Sequence, residues 1–366
     1  MNNHVTTLEI DGNALLHNLH YFKQKLASKT KILAVVKAFG YGSDALEIAC
    51  FLKEKVSYFA VAYTDEGIAL RNAGIKNPIL VLHPQLQNLS ILMDYALEPN
   101  LYSFKMLDAF IKLSLERSLT NYPFHLKFNT GLHRLGFSIE NIPEIIAIIN
   151  SSEGIKITSV FSHLAASEDL NEIGFSKKQI DLFENIKRLL CSHLKYVPMF
   201  HLANTSGVVN YPEAQHDMVR IGIGLYGFGN DENETKHLKH THHLTSIISQ
   251  IHCVQPNETV GYNRAFTASK ASKIATIPIG HADGVSRQLG NQKGHVLIHQ
   301  QKAPIIGNVC MDMIMVDVTD LFCKEGDEVI LFNSQKMVQN IATICKTIPY
   351  EVLTAISQRV RKVLKY

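Results

Sequence analysis

Lys37 stands at the end of an apolar and β-branched run, KILAVVK, that is typical of a buried strand. Burial of an ammonium group is costly unless the side chain is paired or used chemically. Desolvation lowers the pKa of a lysine, and the neutral amine is a nucleophile that can form a Schiff base with a carbonyl compound. The alternative is a structural lysine whose ammonium group reaches solvent at the rim of the sheet. Lys37 is therefore a candidate covalent catalyst, with the structural alternative left open.

Further polar residues end or follow other apolar runs in the first two thirds of the chain. In a barrel of parallel strands the C-terminal strand ends meet at one face, and catalytic side chains gather there. The candidates in such positions are Lys127, Asn129, Arg134, His163, His201, Asn204, Thr205, Ser206 and Arg220. The pattern predicts one ligand site with basic, imidazole and amide groups.

The segment VRIGIGLYG contains Gly222, Gly224 and Gly227 in the G-x-G-x-x-G spacing of dinucleotide-binding proteins. That motif needs a helix after the glycines, so that a pyrophosphate lies at the helix N-terminus. Residues 228–240 are polar instead and lack helical periodicity. The sequence therefore disfavours a nicotinamide or flavin enzyme, and we expect the glycines to admit a smaller phosphate group.

The elements that must position these residues alternate between strand and helix patterns. Eight strand-like runs occur between residues 31 and 225: KILAVVKA, YFAVAYT, PILVLHP, EPNLYS, PFHLKFNT, ITSVFSHL, MFHLANT and MVRIGIGL. Helical periodicity lies between several of them, which predicts a (β/α)8 barrel over residues 9–235, with a doubly wound sheet as the alternative. Residues 236–366 contain short strand-like runs separated by turns and predict a mainly β second domain. Residues 1–8 are candidates to pair with that domain.

Composition narrows the class of protein further. The chain has 366 residues, 46% of them hydrophobic and 19% charged, and a net charge of +3, which gives no sign of nucleic-acid binding. No apolar run is long enough to span a membrane, and the N-terminal residues lack the pattern of a signal peptide. The six cysteines are scattered without C-x-x-C spacing, so we expect reduced thiols in a cytoplasmic protein and no metal site.

Nine segments carry a resemblance to a known family. In chain order they are AVVKAFGYG, KFNTGLHRLGF, FSHLA, HLANTSG, VRIGIGLYG, VGYNRAF, PIGHADG, GNVCMD and TIPYEVLTAISQRV. They follow the order of the corresponding motifs in the alanine racemases, which are pyridoxal 5'-phosphate (PLP) enzymes, and they cover nearly the whole chain. The sequence is therefore similar to an isomerase that interconverts L-alanine and D-alanine.

The resemblance implies PLP as the cofactor and a role for each matching residue. Lys37 matches the lysine that carries PLP as a Schiff base and later acts as one catalytic base. Arg220 matches the arginine that faces the pyridine nitrogen, His163 the histidine beside the ring, and His201 a supporting partner of that network. The other cofactor-binding positions, most of them phosphate contacts, are Tyr41, Asn204, Thr205, Gly222, Ile223 and Tyr350.

The resemblance also implies a site shared between the two subunits of a homodimer. Tyr262 matches the second catalytic base, which the other subunit donates together with Met311. Arg134 matches the arginine near the substrate carboxylate, and Lys127 matches a lysine that is carbamylated in many members of the family and orients that arginine. Inversion of a stereocentre requires proton transfer on both faces of a planar carbanion, and two opposed bases provide it. The expected role is the supply of D-alanine for peptidoglycan, with a small amino acid as substrate and neither nucleic acid nor membrane as partner.

Four positions depart from the family pattern and concern the breadth of substrates. They are Asn129, Asn263, His281 and Asn308. A racemase of broader specificity is therefore an alternative, as are a basic amino-acid decarboxylase on the same scaffold and a non-catalytic PLP carrier. Arg220 disfavours the decarboxylase, for which we expect an acidic partner at the pyridine nitrogen. The second domain and its Tyr262 disfavour the carrier.

Overall fold

The described residues, 5–229 and 231–366, form two large sheets and a two-stranded hairpin in the computed structural model. The first strand, β1 (Thr7–Asp11), belongs to the second sheet. The strands of the first sheet are β2 (Lys31–Val35), β3 (Tyr58–Val61), β4 (Ile79–Val81), β5 (Glu98–Leu101), β6 (Tyr122–Lys127), β7 (Ile155–Phe161), β8 (Met199–His201) and β9 (Met218–Ile221). Each of the eight strand-like runs predicted for the barrel overlaps one of these strands, although β6 and β7 begin one and two residues before their runs.

The first sheet is a closed parallel barrel. Its strands are hydrogen-bonded in the order β8-β7-β6-β5-β4-β3-β2-β9, and every pair is parallel. Backbone bonds close the ring, since Asp217 N donates to Phe200 O over 3.0 Å and Arg220 N donates to Ala203 O over 3.1 Å. The predicted (β/α)8 barrel is confirmed, and closure excludes the doubly wound alternative.

Helices and short turns connect the barrel strands. The helical segments in this half are α1 (Gly12–Gln24), α2 (Lys37–Tyr41), α3 (Ala45–Leu52), α4 (Thr64–Asn72), α5 (Leu89–Asp94), α6 (Phe104–Glu116), α7 (Ile142–Ser151), α8 (Ile173–His193) and α9 (Thr205–Asn210). In α8 the predicted apolar stripe, Ile180, Phe183, Ile186 and Leu190, is buried. Among the described helices, none combines the length and the apolar character that a bilayer crossing requires.

The second sheet is built mainly from the last third of the chain. Its strands are β10 (His242–Ile247), β11 (Gln250–Val254), β14 (Ser272–Ile277), β15 (His295–Ile298), β16 (Gln301–Ile306), β17 (Ile314–Asp317), β18 (Glu328–Phe332) and β19 (Arg361–Lys365), and a separate hairpin joins β12 (Thr259–Val260) to β13 (Phe266–Thr267). The mainly β character predicted for this half is confirmed. β1 pairs antiparallel with β10 and parallel with β19, so it joins the N-terminal residues to this sheet.

Three helices accompany the second sheet, and one of them reaches the barrel. They are α10 (Glu232–Thr235), α11 (Gln335–Ile344) and α12 (Pro349–Thr354). α12 packs so closely on the segment after α2 that a Cβ on Gly42 would lie 1.9 Å from the carbonyl oxygen of Leu353. This approach brings Tyr350 beside Tyr41, with ring centroids 6.0 Å apart. The second half of the chain thereby contributes to the mouth of the barrel.

Candidate active site

A cavity of about 590 Å³ lies at the C-terminal ends of the barrel strands. Eleven of the predicted site residues line it: Lys37, Tyr41, Lys127, Arg134, His163, Asn204, Thr205, Arg220, Gly222, Ile223 and Tyr350. They come from five different barrel strand ends and from α12, which is the arrangement expected of a barrel enzyme. The strand-end residues therefore meet at the C-terminal face of the barrel, as their positions in the sequence predicted.

Lys37 is held by an unusual backbone turn. In α2, the backbone of Ala38 and Phe39 is left-handed, with φ of 52° and 55°, a conformation that non-glycine residues rarely adopt. The Glu66 carboxylate stabilises this turn because Oε1 accepts from the backbone N–H of Ala38 over 2.7 Å, while Oε2 accepts from that of Ala62 over 2.6 Å. Glu66 was not predicted, and its only signal in the sequence is its place in the first turn of α4. Left-handed backbone occurs at other positions as well, but at this turn it sets the direction of the Lys37 side chain.

The electrostatic environment favours the neutral amine of Lys37. Burial lowers the pKa of Lys37, the positive charge of Arg134 lowers it further, and the carboxylate of Glu66 opposes both. A lowered pKa increases the fraction of nucleophilic amine near neutral pH. This environment is the one that a Schiff-base lysine requires.

Arg220 is buried and makes five hydrogen bonds to neutral acceptors. Its Nη1 donates to His201 Nδ1 over 2.7 Å, and its Nη2 donates to the carbonyl oxygens of Ser162 and Leu202, each over 2.8 Å. Longer bonds reach His201 O and His163 Nδ1. Burial lowers the pKa of Arg220 to about 9, with Arg134 as a further cause, so the guanidinium is charged at neutral pH. His201 lies behind the cavity wall and contacts Arg220 directly.

Lys127 is a second lysine of the cavity lining and, unlike Lys37, it is buried. Its Nζ lies 4.6 Å from the ring centroid of Phe161, and burial lowers its pKa to about 7, with contributions from the cations Arg220, Arg134 and Lys37. The pKa of His163 falls well below its usual value for the same reasons, with burial the largest. In the described part of the chain, no Asp or Glu side chain lines this cavity. The cavity is therefore a strongly cationic site that suits an anionic ligand.

The glycine motif and the tyrosines form one corner of the cavity. A Cβ on Gly222 would lie 2.3 Å from the hydroxyl oxygen of Tyr41, so only glycine permits this approach. The backbone N–H of Gly222 donates to Thr205 Oγ1 over 3.2 Å. A single 3-10 turn, Ile223–Tyr226, follows the glycine in place of the long helix that a dinucleotide site needs. The expectation that the glycines do not bind a dinucleotide agrees with this geometry.

Tyr262 and Met311 lie apart from the cavity of their own chain. Tyr262 begins a short 3-10 turn, Tyr262–Arg264, and is 72% exposed, and Met311 is 59% exposed. Asn263 has a φ of 58°, a left-handed conformation that glycine adopts most readily and asparagine tolerates, which explains how Asn replaces the family's usual Gly. Asn308 donates to the backbone oxygen of Tyr262 over 3.1 Å and thus supports the turn.

Three further lining residues with polar side-chain atoms were not predicted from the sequence. Tyr63 and His83 follow strands β3 and β4, and Asn100 lies in β5. Asn100 donates to Leu82 O over 2.8 Å, while its buried Oδ1 has no hydrogen-bond partner among the described residues. An unpaired buried acceptor is rare in a folded protein, and a ligand with a suitable donor would satisfy it.

Two family models match the chain. The model described as "Alanine racemase, N-terminal domain" matches residues 10–229, and the model described as "Alanine racemase, C-terminal domain" matches residues 241–364. The chain belongs to the alanine racemase family. The recognition made from the nine sequence motifs is confirmed, as is the enzyme class, since a racemase is an isomerase.

Individual relatives match this family member over almost its whole length. Alanine racemase 1 of Caldanaerobacter subterraneus subsp. tengcongensis is 35% identical over 372 residues, which cover 99% of this chain and 95% of that protein. The solved structure of alanine racemase from Clostridium difficile 630 has a TM-score of 0.93 at 33% identity and covers 99% of this chain and 96% of its own. Alanine racemase from Bartonella henselae, solved with covalently bound pyridoxal phosphate, has a TM-score of 0.87 at 29% identity, with 99% of both chains covered.

Proposed function

We propose that this chain is a PLP-dependent alanine racemase that interconverts L-alanine and D-alanine and supplies D-alanine for peptidoglycan. The observation that carries the proposal is Lys37 itself, a half-buried lysine with a lowered pKa in a cationic cavity of a barrel of the alanine racemase family. The free thiols of all six cysteines support a cytoplasmic location.

The lining residues fit the chemical groups of PLP. Gly222 lies close to the Tyr41 hydroxyl, and Thr205 lies beside both residues at one corner of the cavity. Hydroxyl and backbone N–H donors at this corner would hold the phosphate of PLP. Ile223, Asn204 and Tyr350 complete the proposed set of cofactor-binding residues around this corner. Lys37 would carry the cofactor covalently, and Arg220 would lie against the pyridine nitrogen with His163 beside the ring. When bound, PLP draws electron density away from the substrate's Cα and makes its hydrogen acidic enough to remove.

The chain's own residues would then orient the substrate and move protons. Arg134 would pair with the substrate carboxylate, with Lys127 positioning it. Lys37 Nζ would take or return the Cα proton on one face, and the Tyr262 hydroxyl would do so on the other. The charged guanidinium of Arg220 disfavours a proton on a nearby nitrogen, which limits the side reaction of transamination.

The proposed site is shared between two chains of a homodimer. Tyr262 and Met311 are exposed in the single chain and do not line the cavity that holds Lys37, which supports their donation to a partner's site. We keep the predicted division of the chain here, with a barrel over residues 9–235 that holds the cofactor and a mainly β part over residues 236–366 that donates Tyr262.

The covalent step and the activity can be tested together. The purified protein is loaded with PLP and reduced with borohydride, and proteolytic peptides are mapped by mass spectrometry. We expect the cofactor on Lys37 and, in the unreduced sample, conversion of L-alanine to D-alanine by chiral chromatography. A label on another lysine, or a correctly labelled protein that leaves L-alanine unchanged, would contradict the proposal.

Subunit mixing tests the shared site. Lys37→Ala and Tyr262→Phe are each expected to be nearly inactive as homodimers. After complete exchange of an equal mixture, about half of the dimers are heterodimers with one intact site each, so activity recovers to about a quarter of the wild-type value. If both residues served the same chain's site, no mixture would recover activity, and that result with exchange independently verified would falsify the shared site.

A further inference from the structure

A chain of buried polar side chains runs through the barrel from Arg220 to Glu98. Arg220 Nη1 lies 2.7 Å from His201 Nδ1, and His201 Nε2 lies 2.8 Å from Ser159 Oγ. Ser159 Oγ lies 2.5 Å from His125 Nδ1, and His125 Nε2 lies 2.7 Å from Glu98 Oε2. The two histidines and the serine are 0% exposed, Arg220 is 4% exposed and Glu98 is 7% exposed. Four consecutive hydrogen bonds therefore link the arginine at the active site to a carboxylate that lies outside the cavity lining.

The chemistry of the arginine sets the direction of every bond in this chain. An arginine only donates, so His201 Nδ1 must be the acceptor, and a neutral His201 then carries its proton on Nε2. His201 therefore donates to Ser159, whose single hydroxyl hydrogen points to His125 Nδ1. His125 in turn carries its proton on Nε2 and donates to Glu98, which as a carboxylate only accepts. The donor role of Arg220 and the acceptor role of Glu98 fix the same direction for the whole hydrogen-bond chain. Each of the four hydrogen bonds then has one donor and one acceptor.

Glu98 is the anionic end that Arg220 otherwise lacks. Among the hydrogen bonds of Arg220 in the described residues, no partner is a carboxylate. Tyr58 also hydrogen-bonds to Glu98, and burial, followed by the charge of Glu98, raises the pKa of that hydroxyl. Hydrogen bonds in a chain polarise one another, so a carboxylate at one end strengthens the bond at the other. A His201 ring that is fixed in this orientation also keeps the lone pair of its Nδ1 directed at Arg220.

We propose that Glu98, His125 and Ser159 are positioning residues that hold the His201 ring in its Nε2–H form, with Nδ1 directed at Arg220, and thereby fix the guanidinium at the cofactor site. The part of this inference that concerns the cofactor rests on the proposed function, because Arg220 is assigned there to the pyridine nitrogen. The donor-to-acceptor direction of the hydrogen-bond chain rests on the described contacts alone.

The barrel register explains how Glu98, His125 and Ser159 come together from strands β5, β6 and β7. Asn100 of β5 pairs with His125 of β6, and His125 pairs with Ser159 of β7. Glu98 lies two residues before Asn100, so its side chain leaves β5 on the same face. A buried charged chain is costly compared with a well-packed apolar layer, so stability alone gives no reason to place one in a barrel interior.

The donor-to-acceptor direction of the hydrogen-bond chain can be tested by nuclear magnetic resonance on the PLP-loaded protein labelled with ¹⁵N-histidine. Single His→Gln variants assign the signals. We expect His125 and His201 each to show one protonated Nε2 and one unprotonated Nδ1. A doubly protonated ring, or a proton on Nδ1 of either residue, would overturn the inference. This result does not depend on whether the protein racemises alanine, so a failed activity assay with the expected spectra would refute only the proposed function.

The positioning role is tested with Ser159→Ala, with Ser159→Thr as the conservative variant and Ser114→Ala as the matched control. Ser114 is equally buried, and its hydroxyl donates only to Ile111 O in its own helix. For Ser159→Ala we expect an upfield shift of the His201 Nε2 proton and a fall in kcat of about 10- to 100-fold, which is the order of loss expected when a buried donor is left without its acceptor. The KM for alanine should stay within about threefold, because no substrate contact is removed.

The number of racemisation turnovers before transamination inactivates the enzyme is the decisive readout. It should fall by about tenfold in Ser159→Ala, recover in Ser159→Thr and stay at the wild-type value in Ser114→Ala. If Ser159→Ala does not fold, Glu98→Gln replaces it, since the amide oxygen still accepts from His125 and only the negative charge is lost. A folded Ser159→Ala or Glu98→Gln with unchanged turnover number and unchanged histidine spectra would overturn the inference while leaving the racemase intact.

Discussion

Replacement of Lys127 by methionine should stabilise the cofactor-free protein, and the gain should depend on pH. Lys127 is 6% exposed, and its pKa falls from the usual 10.5 to about 7, because burial and the cations Arg220, Arg134 and Lys37 all oppose its charge. Methionine fills a similar volume without a charge and makes a favourable contact with the ring of Phe161. The native ammonium group is therefore a source of instability that the substitution removes.

The sign and size of the effect follow from proton linkage. Between about pH 7 and about pH 10.5 the unfolded chain keeps the proton on Lys127 and the folded chain does not, so the free energy of unfolding of wild type falls as the pH is lowered through this range. Below about pH 7 both states hold the proton and the full penalty persists. Each pH unit in this range changes the free energy of unfolding of wild type by about 1.4 kcal/mol. The difference in free energy of unfolding between Lys127→Met and wild type should therefore grow by roughly 3 kcal/mol as the pH is lowered from about 9.5 to about 7.

Urea unfolding of the cofactor-free protein at fixed concentration, in buffers free of carbon dioxide, measures this difference. Lys112→Met is the control, because the Lys112 side chain is 80% exposed and the same substitution there removes no buried charge. Added bicarbonate should reduce the difference if the amine of Lys127 is carbamylated, as the family resemblance implies. Equal pH dependence of Lys127→Met, Lys112→Met and wild type would refute the account of this cavity as an uncompensated cationic site.

Three further predictions concern the cofactor corner and the substrate. Gly222→Ala should weaken PLP binding by at least about tenfold, because its Cβ would lie 2.3 Å from the Tyr41 hydroxyl; unchanged affinity in a fluorescence titration would contradict the phosphate assignment. Arg220→Glu should raise the share of turnovers that end in transamination, because a carboxylate favours a proton on the pyridine nitrogen; a wild-type share, measured as pyruvate formed per D-alanine, would count against Arg220 facing that nitrogen. Alanine should be racemised faster than lysine or arginine; comparable rates would indicate the broader racemase that His281 leaves open.

The barrel was predictable because its physical signal is local. Parallel strands covered on both faces are nearly continuous apolar runs, and β2 to β9 each overlap one of the eight predicted runs. In a parallel barrel, the polar residues that end these runs must meet at one face. The strand-end pattern therefore identified most of the polar residues that line the cavity. The family resemblance then supplied roles that residue type and spacing could not.

Other features depend on contacts between distant segments and could not be predicted. The left-handed turn at Ala38 and Phe39 contradicts local propensity and is stabilised by Glu66, which lies 28 residues from Ala38. The bond between His125 and Ser159 needs the register of two strands, which an apolar pattern does not specify. Apart from the family resemblance that assigns Tyr350 to the cofactor, no local pattern in the sequence indicates that α12 packs on the barrel.

In the proposed mechanism, two groups on opposite faces of the substrate donate and accept the proton that inverts alanine at Cα. The most direct measurement is incubation of L-alanine with the PLP-loaded protein in deuterated water, followed by chiral separation and mass spectrometry of both enantiomers. The account predicts that D-alanine appears with deuterium at Cα from the first turnovers and accumulates until the enantiomers are equal. Deuterium exchange into L-alanine without formation of D-alanine, or carbon dioxide as the main product, would contradict it.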